Sequence, residues 1–188
     1  MFRAAVRSGS EFGAKARKFM DAGDLVPDDV VIGLVRERLS KDDARLRGFV
    51  LDGFPRTVQQ AEALDEMLAS QGGVELVVDL EVPTEVVLKR LASRRVCVEC
   101  GTNYSVERPP EDPETCDICG GKVVQREDDT VSAIRRRLEL YEEQTAPLIA
   151  WYLSKDKLVT VDGVGEPDRV TTRLIRAIDR RLRRGPDA

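Results

Sequence analysis

The sequence predicts an α/β fold, in which helices flank a parallel sheet and a small cysteine-bearing insertion interrupts the chain. The first observation is that short apolar, β-branched runs alternate with segments of helical periodicity, a pattern typical of parallel sheets. The second is a change of composition at residues 96–126, which are rich in cysteine, glycine, proline and acidic residues. The third is size: 188 residues, 41% hydrophobic and 34% charged, suffice for one core and one small insertion.

The first part of the chain is predicted to be helical. Apolar residues recur at helical spacing over residues 2–22 and are interrupted by Ser-Gly-Ser at 8–10, which predicts two short helices. A proline and two acidic residues then open a helix over 27–39, because acidic side chains in a first turn interact favourably with the helix dipole.

Three apolar runs predict the strands, and each of them precedes a segment of helical spacing. The run at 74–83 is continuous and β-branched, which is typical of strands in a parallel sheet. The predicted strands are 48–52, 74–83 and 157–163, and the predicted helices that follow are 57–70, 84–95, 128–153 and 166–184.

The overall charge excludes some classes of function. The net charge is −4 and the isoelectric point is near 5.1, which argues against wholesale binding to nucleic acid or to a membrane surface. No apolar run approaches the roughly 20 residues that a transmembrane helix needs. The first residues lack the apolar segment of a signal peptide. We therefore expect a cytoplasmic protein, in which structural disulfides are rare.

The four cysteines form two Cys-x₂-Cys pairs with fifteen residues between them. This spacing is typical of a tetrahedral zinc site made by Cys97, Cys100, Cys116 and Cys119. Four protein ligands leave no open coordination position, so such a zinc ion is structural and stabilises a segment too small to fold on its own core. Free buried thiols and two disulfides are the alternatives.

The stretch VLDGFPRT ends a predicted strand and turns into a loop. Ligands of open α/β sheets bind at the carboxyl ends of strands, where Asp52 lies and Arg56 follows. A guanidinium group held in such a loop suits phosphate, and a carboxylate beside phosphate suits magnesium held through water. The alternative is an internal Asp52–Arg56 ion pair that caps the strand.

Further arginines lie on both sides of the cysteine insertion. Arg90 and Arg94 are four residues apart, which predicts one shared helix face, and Arg126 follows the insertion. Successive residues of a helix point about 100° apart, so at most one or two of residues 135–137 can point to a common cleft. A solvated charged surface is the alternative for each arginine. Their grouping predicts a positively lined cleft under a movable flap, with a polyphosphate as ligand.

These motifs resemble the adenylate kinase family, in its long, zinc-bearing bacterial form. GFVLDGFPRTVQQAEALD is close to the strongest signature of that family, and RRVCVECGTNY with CDICG is similar to its lid. The resemblance covers about residues 1–180 and implies the parallel-sheet nucleoside monophosphate kinase fold with a small zinc-binding lid. It implies four parts: the AMP-binding helices 1–40, the core segments 41–95 and 127–188, and the lid 96–126.

The resemblance also implies roles for individual residues. Arg3 and Arg56 would bind the AMP phosphate, Gln60 would read the adenine edge, and Asp52 would hold magnesium through water. Asp128 and Asp129 would help to arrange the transfer site. The implied AMP-binding residues are Arg3, Met20, Asp24, Leu25, Val26, Val31, Gly53, Phe54, Pro55, Arg56 and Gln60. The implied catalytic residues are Arg90, Arg94, Arg126, Arg137 and Asp52, and the implied ATP-binding residues are Arg90, Arg94, Asn103, Tyr104 and Gly165.

The implied activity is reversible, in-line phosphoryl transfer from MgATP to AMP, which gives two ADP. The sequence contains no histidine, which fits a reaction that needs positioning and charge stabilisation more than a general base. A closing lid would exclude water, which otherwise accepts the phosphoryl group. The implied ligands are ATP, AMP, ADP, structural Zn²⁺ and the Mg²⁺ of MgATP, and the implied state is a monomer that binds neither nucleic acid nor membrane.

One motif of the family is missing from the sequence. No G-x-x-x-x-G-K-[ST] occurs, and the resemblance places this phosphate loop on a first strand, about thirty residues before Met1. We therefore expect the first strand and the phosphate loop to be missing and catalysis by this chain to fall by orders of magnitude.

Three origins of this difference remain open: a start site assigned too late, a deliberately shortened chain, and a degenerate paralogue. The first two predict that the upstream reading frame supplies a strand, a glycine-rich loop and a lysine. The alternative function is a catalytically inactive, nucleotide-binding, zinc-containing fragment or paralogue. Among kinases, the alternative is one for another nucleoside monophosphate.

Overall fold

The computed structural model describes residues 10–22, 26–126 and 129–184. The chain forms two compact units, Met1–Glu75 and Leu76–Ala188. The predicted helix before residue 8 lies outside the described residues.

The described part of the first unit contains four helices, and three of them begin at or next to a residue that the sequence predicts. Helix α4 begins at Val58 because the hydroxyl of Thr57 accepts a hydrogen bond from the backbone N–H of Gln60 at 3.1 Å, which caps the helix. Helix α3 was not predicted from the sequence. The helices are α1 (Glu11–Ala22), α2 (Asp28–Leu39), α3 (Asp42–Arg47) and α4 (Val58–Leu68), which a 3₁₀ turn, Ala69–Gln71, extends.

Two apolar clusters hold the first unit together. One joins α1 to α2 through buried Ala16 and Leu34, with Phe12 packed beside them. The other lies between α2, α3 and α4. Its buried members are Val35, Leu39, Ala44, Phe54, Leu64 and Leu68.

The predicted strand at 48–52 is wrong. Residues 48–51 are irregular in structure, and Val50 is 95% exposed. A strand is stabilised by backbone hydrogen bonds to a neighbouring strand. No backbone within 10–22, 26–126 or 129–184 pairs with this segment.

The second unit contains the parallel pair of strands that the sequence predicts. Strand β1 (Val77–Glu81) pairs in parallel with strand β5 (Leu158–Asp162), with Val77 opposite Leu158 and Glu81 opposite Asp162. These strands confirm the predictions at 74–83 and 157–163 with narrower bounds. Helix α5 (Thr84–Ser93) follows β1.

The cysteine insertion forms a small antiparallel sheet of its own. Strand β2 (Arg95–Cys97) lies between β3 (Asn103–Tyr104) and β4 (Val123–Val124). These strands have two or three residues each, too few to give a period-2 signal, which is why the sequence did not predict them.

The predicted helix at 128–153 is divided into three parts. Helix α6 (Val131–Leu140) continues into one π-helical turn, Tyr141–Thr145, and then into α7 (Pro147–Ser154). Pro147 has no backbone N–H and cannot donate the hydrogen bond that continues an α-helix. Just before it, the backbone N–H of Ala146 donates to the carbonyl of Tyr141, five residues earlier, at 2.8 Å, which is the hydrogen bond of a π-helical turn. The last helix is α8 (Pro167–Arg184).

Candidate functional site

The loop at Gly53–Arg56, within the family signature, is held by the side chain of its own arginine. Arg56 donates from Nε to the carbonyl oxygen of Gly53 at 2.9 Å, and the peptide bond between Phe54 and Pro55 is cis. The Arg56 side chain is exposed, whereas Phe54 is buried in the core of the first unit. The loop therefore presents an exposed guanidinium group on a backbone that the buried Phe54 side chain anchors.

Asp52 lies on the surface beside this loop. Its carboxylate makes no hydrogen bond or ion pair with any described residue, so the alternative Asp52–Arg56 ion pair is not formed. An exposed carboxylate is the type of ligand that Mg²⁺ takes through water.

The side chain of Gln60 connects this loop to helix α2. Its Oε1 accepts from the backbone N–H of Arg56 at 2.8 Å, and its Nε2 donates to Asp28 Oδ1 at 2.6 Å. The hydroxyl of Thr57 donates to the other carboxylate oxygen of Asp28 at 3.2 Å. The backbone N–H of Arg56 can only donate and the carboxylate of Asp28 can only accept, so the orientation of the Gln60 amide is fixed.

In the sequence, Asp28 is recognisable only as an acidic residue in the first turn of a helix. Its partners are 29 and 32 residues away in sequence, so local spacing carries no signal for this network.

The other predicted AMP-binding residues are only partly described. Val26 is half-buried and packs on the cluster between α1 and α2, whereas Val31 is half-buried and packs on the cluster around Phe54. Arg3, Asp24, Leu25 and the Met20 side chain lie outside the described residues.

In the second unit, a buried carboxylate holds two of the predicted arginines. Arg94 donates to Asp129 from Nε at 2.7 Å and from Nη2 at 2.6 Å, and Arg137 Nη1 lies 3.4 Å from the same carboxylate. The Asp129 side chain is 0% exposed, whereas those of Arg94 and Arg137 are 24% and 42% exposed. One buried negative charge thus orients two guanidinium groups.

The backbone around Arg126 supports this cluster. The N–H of Asp129 donates to the Arg126 carbonyl at 3.1 Å, and Gln125 Nε2 donates to the Asp129 carbonyl at 3.0 Å. Three predicted phosphate-binding arginines, at 94, 126 and 137, are therefore connected through one acidic residue. Asp128 lies outside the described residues.

Arg90 contacts the loop after β5. Its guanidinium group donates to the carbonyl oxygens of Gly163 at 3.2 Å and Gly165 at 3.5 Å. Both acceptors are uncharged, so the positive charge of Arg90 is not neutralised by them. The structure thus brings together two residues, Arg90 and Gly165, that were separately predicted to bind ATP.

The predicted shared helix face of Arg90 and Arg94 is wrong. Helix α5 ends at Ser93, and Arg94 has an extended backbone that leads into β2. The two side chains consequently have different partners, the glycine carbonyls for Arg90 and Asp129 for Arg94.

The prediction that at most one or two of the arginines at 135–137 can point to a common cleft is confirmed. Arg137 reaches Asp129, whereas Arg136 pairs with Glu139 on the exposed surface at 3.3 Å.

The four cysteines form one cluster that could hold a metal ion. Their sulfur atoms all lie within 4.8 Å of one another. The nearest pairs are Cys97–Cys119 at 3.5 Å and Cys100–Cys116 at 3.6 Å, far longer than the ~2.05 Å of a disulfide. Tetrahedral ligands at ~2.3 Å from zinc would be about 3.8 Å apart, so the cluster fits such an ion.

The backbone turns aim both pairs at the same point. In each Cys-x₂-Cys-Gly turn the glycine N–H bonds to the carbonyl of the first cysteine, at 3.0 Å for Gly101 and 2.8 Å for Gly120. Their φ angles are +77° and +70°, which side chains other than glycine rarely adopt.

Two hydroxyl groups contact sulfur atoms of the cluster. Tyr104 Oη lies 3.3 Å from Cys116 Sγ, and Thr102 Oγ1 lies 3.0 Å from Cys100 Sγ. The Tyr104 hydrogen bond lowers the pKa of Cys116 to about 6, and the same contact raises the pKa of Tyr104 to about 12. The hydrogen bond with Thr102 lowers the pKa of Cys100. Thr102 was not predicted as a site residue, because a hydroxyl close to a cysteine in sequence is too common to be a signal.

Comparison with known proteins gives the family. A model of the adenylate kinase family matches residues 1–157. A protein named adenylate kinase from Moorella thermoacetica is 48% identical over 182 residues, which cover 96% of this chain and 83% of the relative. Proteins of the same name from Thermodesulfovibrio yellowstonii and Methanosarcina acetivorans are 45% and 47% identical, over 96% and 90% of this chain and 85% and 79% of the relatives.

These matches support the kinase hypothesis and give no support to the inactive alternative. Within the described residues, no helix combines the length and apolar character that crossing a bilayer requires. The chain belongs to the adenylate kinase family of nucleoside monophosphate kinases.

Proposed function

We propose that this chain catalyses reversible phosphoryl transfer from MgATP to AMP, with two ADP as products. The observation that carries the proposal is the buried Asp129 carboxylate, which holds Arg94 and Arg137 in fixed positions while both remain partly exposed. Phosphoryl transfer depends mainly on positioning and on stabilising the charge of the transferred group. Guanidinium groups that are oriented in advance supply both.

The first unit would bind AMP. Arg56, together with Arg3, would bind its phosphate, and the loop at Gly53–Arg56 would surround it. The internal bonds of this loop support the assignment, because a preorganised guanidinium loses less entropy when it binds. Gln60 would select adenine, since its amide orientation is fixed and an amide can donate and accept at once. The remaining proposed contacts are Met20, Asp24, Leu25, Val26, Val31, Phe54 and Pro55.

The second unit would bind the phosphates of ATP. Arg90, Arg94, Arg126 and Arg137 would surround them. The charge of Arg90 supports this assignment, because its bonded partners, two backbone carbonyls, are neutral. In the lid, Asn103 and the ring of Tyr104 would contact ATP, and the backbone at Gly165 would contact it from the loop after β5.

The lid cysteines would hold a structural zinc ion. Thiolate ligands and tetrahedral spacing favour zinc over harder cations. Bound zinc would supply stability to the lid and no chemistry. The Mg²⁺ that accompanies ATP would be held through water by Asp52, whose exposed carboxylate has no partner among the described residues.

We further propose that the enzyme is a cytoplasmic monomer that acts on free nucleotides. Four thiols retained as metal ligands suit a reducing compartment. The proposed working parts are the AMP-binding helices 1–40, the core 41–95 and 127–188, and the lid 96–126.

The test is nucleotide binding and turnover by the 188-residue chain. Calorimetry should detect AMP binding, and a coupled assay should detect ADP formation that depends on AMP. Absence of both AMP binding and ADP formation would overturn the proposal.

A further inference from the structure

The phenol of Tyr104 connects strand β3 to the second cysteine pair. Its oxygen accepts a hydrogen bond from the backbone N–H of Asp117 at 3.0 Å and lies 3.3 Å from Cys116 Sγ. The Tyr104 ring packs on the buried cluster of Cys97, Cys116 and Val123. The side chain therefore has two separable roles, packing by the ring and hydrogen bonding by the hydroxyl.

The number of available protons fixes the direction of the bond to sulfur. A phenol has one hydrogen to donate and lone pairs that accept. The N–H of Asp117 can only donate, so it occupies a lone pair of Tyr104 Oη and leaves the phenol hydrogen for Cys116 Sγ. A metal-bound cysteine is a thiolate, which can only accept. With Tyr104 as donor, all three groups are satisfied.

We propose that Tyr104 is a positioning residue of the lid metal site, in addition to any contact that its ring makes with nucleotide. Its hydroxyl holds Cys116 Sγ towards the other three sulfur atoms and stabilises the thiolate charge. Four thiolates around a divalent ion leave excess negative charge, and hydrogen-bond donors to the sulfur atoms offset it. The inference rests on the proposed metal site.

Substitution of Tyr104 by phenylalanine tests the hydroxyl alone, because the ring stays. The reduced, metal-free chain and its variants Tyr104→Phe, Tyr104→Leu and Tyr141→Phe are titrated with zinc against a chromophoric chelator. The Tyr104→Phe variant should bind zinc about tenfold to a hundredfold more weakly, the usual effect of removing a hydrogen-bond partner of a metal ligand. Tyr141→Phe makes the same chemical change outside the lid and should leave the affinity unchanged.

A second readout uses cobalt(II) in place of zinc. In the Tyr104→Phe variant Cys116 loses a hydrogen-bond donor, so its sulfur becomes more electron-rich, and the thiolate-to-cobalt charge-transfer bands should move to lower energy. A role limited to packing would leave these bands in place.

Three results would overturn the inference. The first is a Tyr104→Phe variant with zinc affinity within twofold of wild type and unchanged cobalt bands; weak binding by Tyr104→Leu alone would then assign Tyr104 to packing. The second is failure of Tyr104→Phe to fold at saturating zinc, because the proposal leaves the ring contacts intact. The third is absence of zinc binding by the wild-type chain, which removes the proposed metal site itself and is therefore distinguishable from the other two.

Discussion

Arg94 donates two hydrogen bonds to the carboxylate of Asp129, at 2.7 Å from Nε and 2.6 Å from Nη2. The two residues lie 35 positions apart, on opposite sides of the lid segment. The acid is fully buried and the arginine is partly exposed. Because of this difference in burial, removal of the arginine and removal of the acid should change the stability of the protein by different amounts.

Removal of Arg94 should destabilise the protein more than removal of Asp129. Arg94→Ala leaves a buried carboxylate with only the longer contact to Arg137 and should cost about 3–5 kcal/mol of unfolding free energy. Asp129→Ala leaves guanidinium groups that water can reach and should cost less. Urea unfolding measures both, with Arg136→Ala as control, because its pair with Glu139 is exposed and contributes little. Equal losses for the two variants would contradict the argument from burial.

Gln60 should decide both AMP affinity and the preference for adenine. Gln60→Ala removes the acceptor of the Arg56 N–H and the link to Asp28, which should weaken AMP binding about three- to tenfold. The preference for AMP over GMP should fall, since the oriented amide is lost. Calorimetry with both nucleotides measures this, and the exposed neighbour in Gln59→Ala is the control. An unchanged AMP-to-GMP ratio would assign Gln60 a purely structural role.

Removal of the metal should unfold the lid and spare the helices of the first unit. The lid strands contain two or three residues each, so without a metal ion little else holds them together. After treatment with a chelator under reducing conditions, hydrogen exchange should become fast across residues 95–124 and stay slow in α2. Cys116→Ser should reproduce the effect without a chelator. Lid amides that remain protected after complete metal removal would contradict this prediction.

Asp79 should make the protein less stable as the pH rises. Burial, and then the nearby Glu81 carboxylate, raise the pKa of Asp79 above its ordinary value. The folded state then holds a proton that the unfolded state releases, so stability falls as the pH rises through the folded-state pKa. Asp79→Asn should therefore be more stable than wild type at neutral pH, and the difference should vanish below the ordinary carboxyl pKa.

Urea unfolding at a series of pH values measures the effect of Asp79→Asn. Glu75→Gln, which changes an exposed acid just before the same strand, is the control. A difference between Asp79→Asn and wild type that is the same at every pH would exclude the titration of Asp79 as its cause.

The local sequence pattern was enough to predict most of the helices and two strands. The cap at Thr57, the acids at Asp28 and Asp29 and the apolar runs at 77–81 and 158–162 act over a few residues, and their signals are therefore visible in sequence. The cysteine cluster was predicted for the same reason, because Cys-x₂-Cys spacing by itself aims two sulfur atoms at one point.

Long-range contacts could not be predicted in this way. The segment 48–52 has the composition of a strand, but strand formation depends on a partner that composition does not reveal. The expected shared face of Arg90 and Arg94 failed because α5 ends one residue before Arg94, where the chain enters the lid sheet.

The sequence by itself determined the family, most of the helices and the metal-binding motif, because these depend on residue type and short spacing. Only the tertiary structure decided which charges and hydroxyls meet: Asp129 with Arg94, Asp28 with Gln60, and Tyr104 with Cys116. The members of these pairs are between 12 and 35 residues apart, and a hydrogen bond forms only when folding brings its two atoms within about 3 Å.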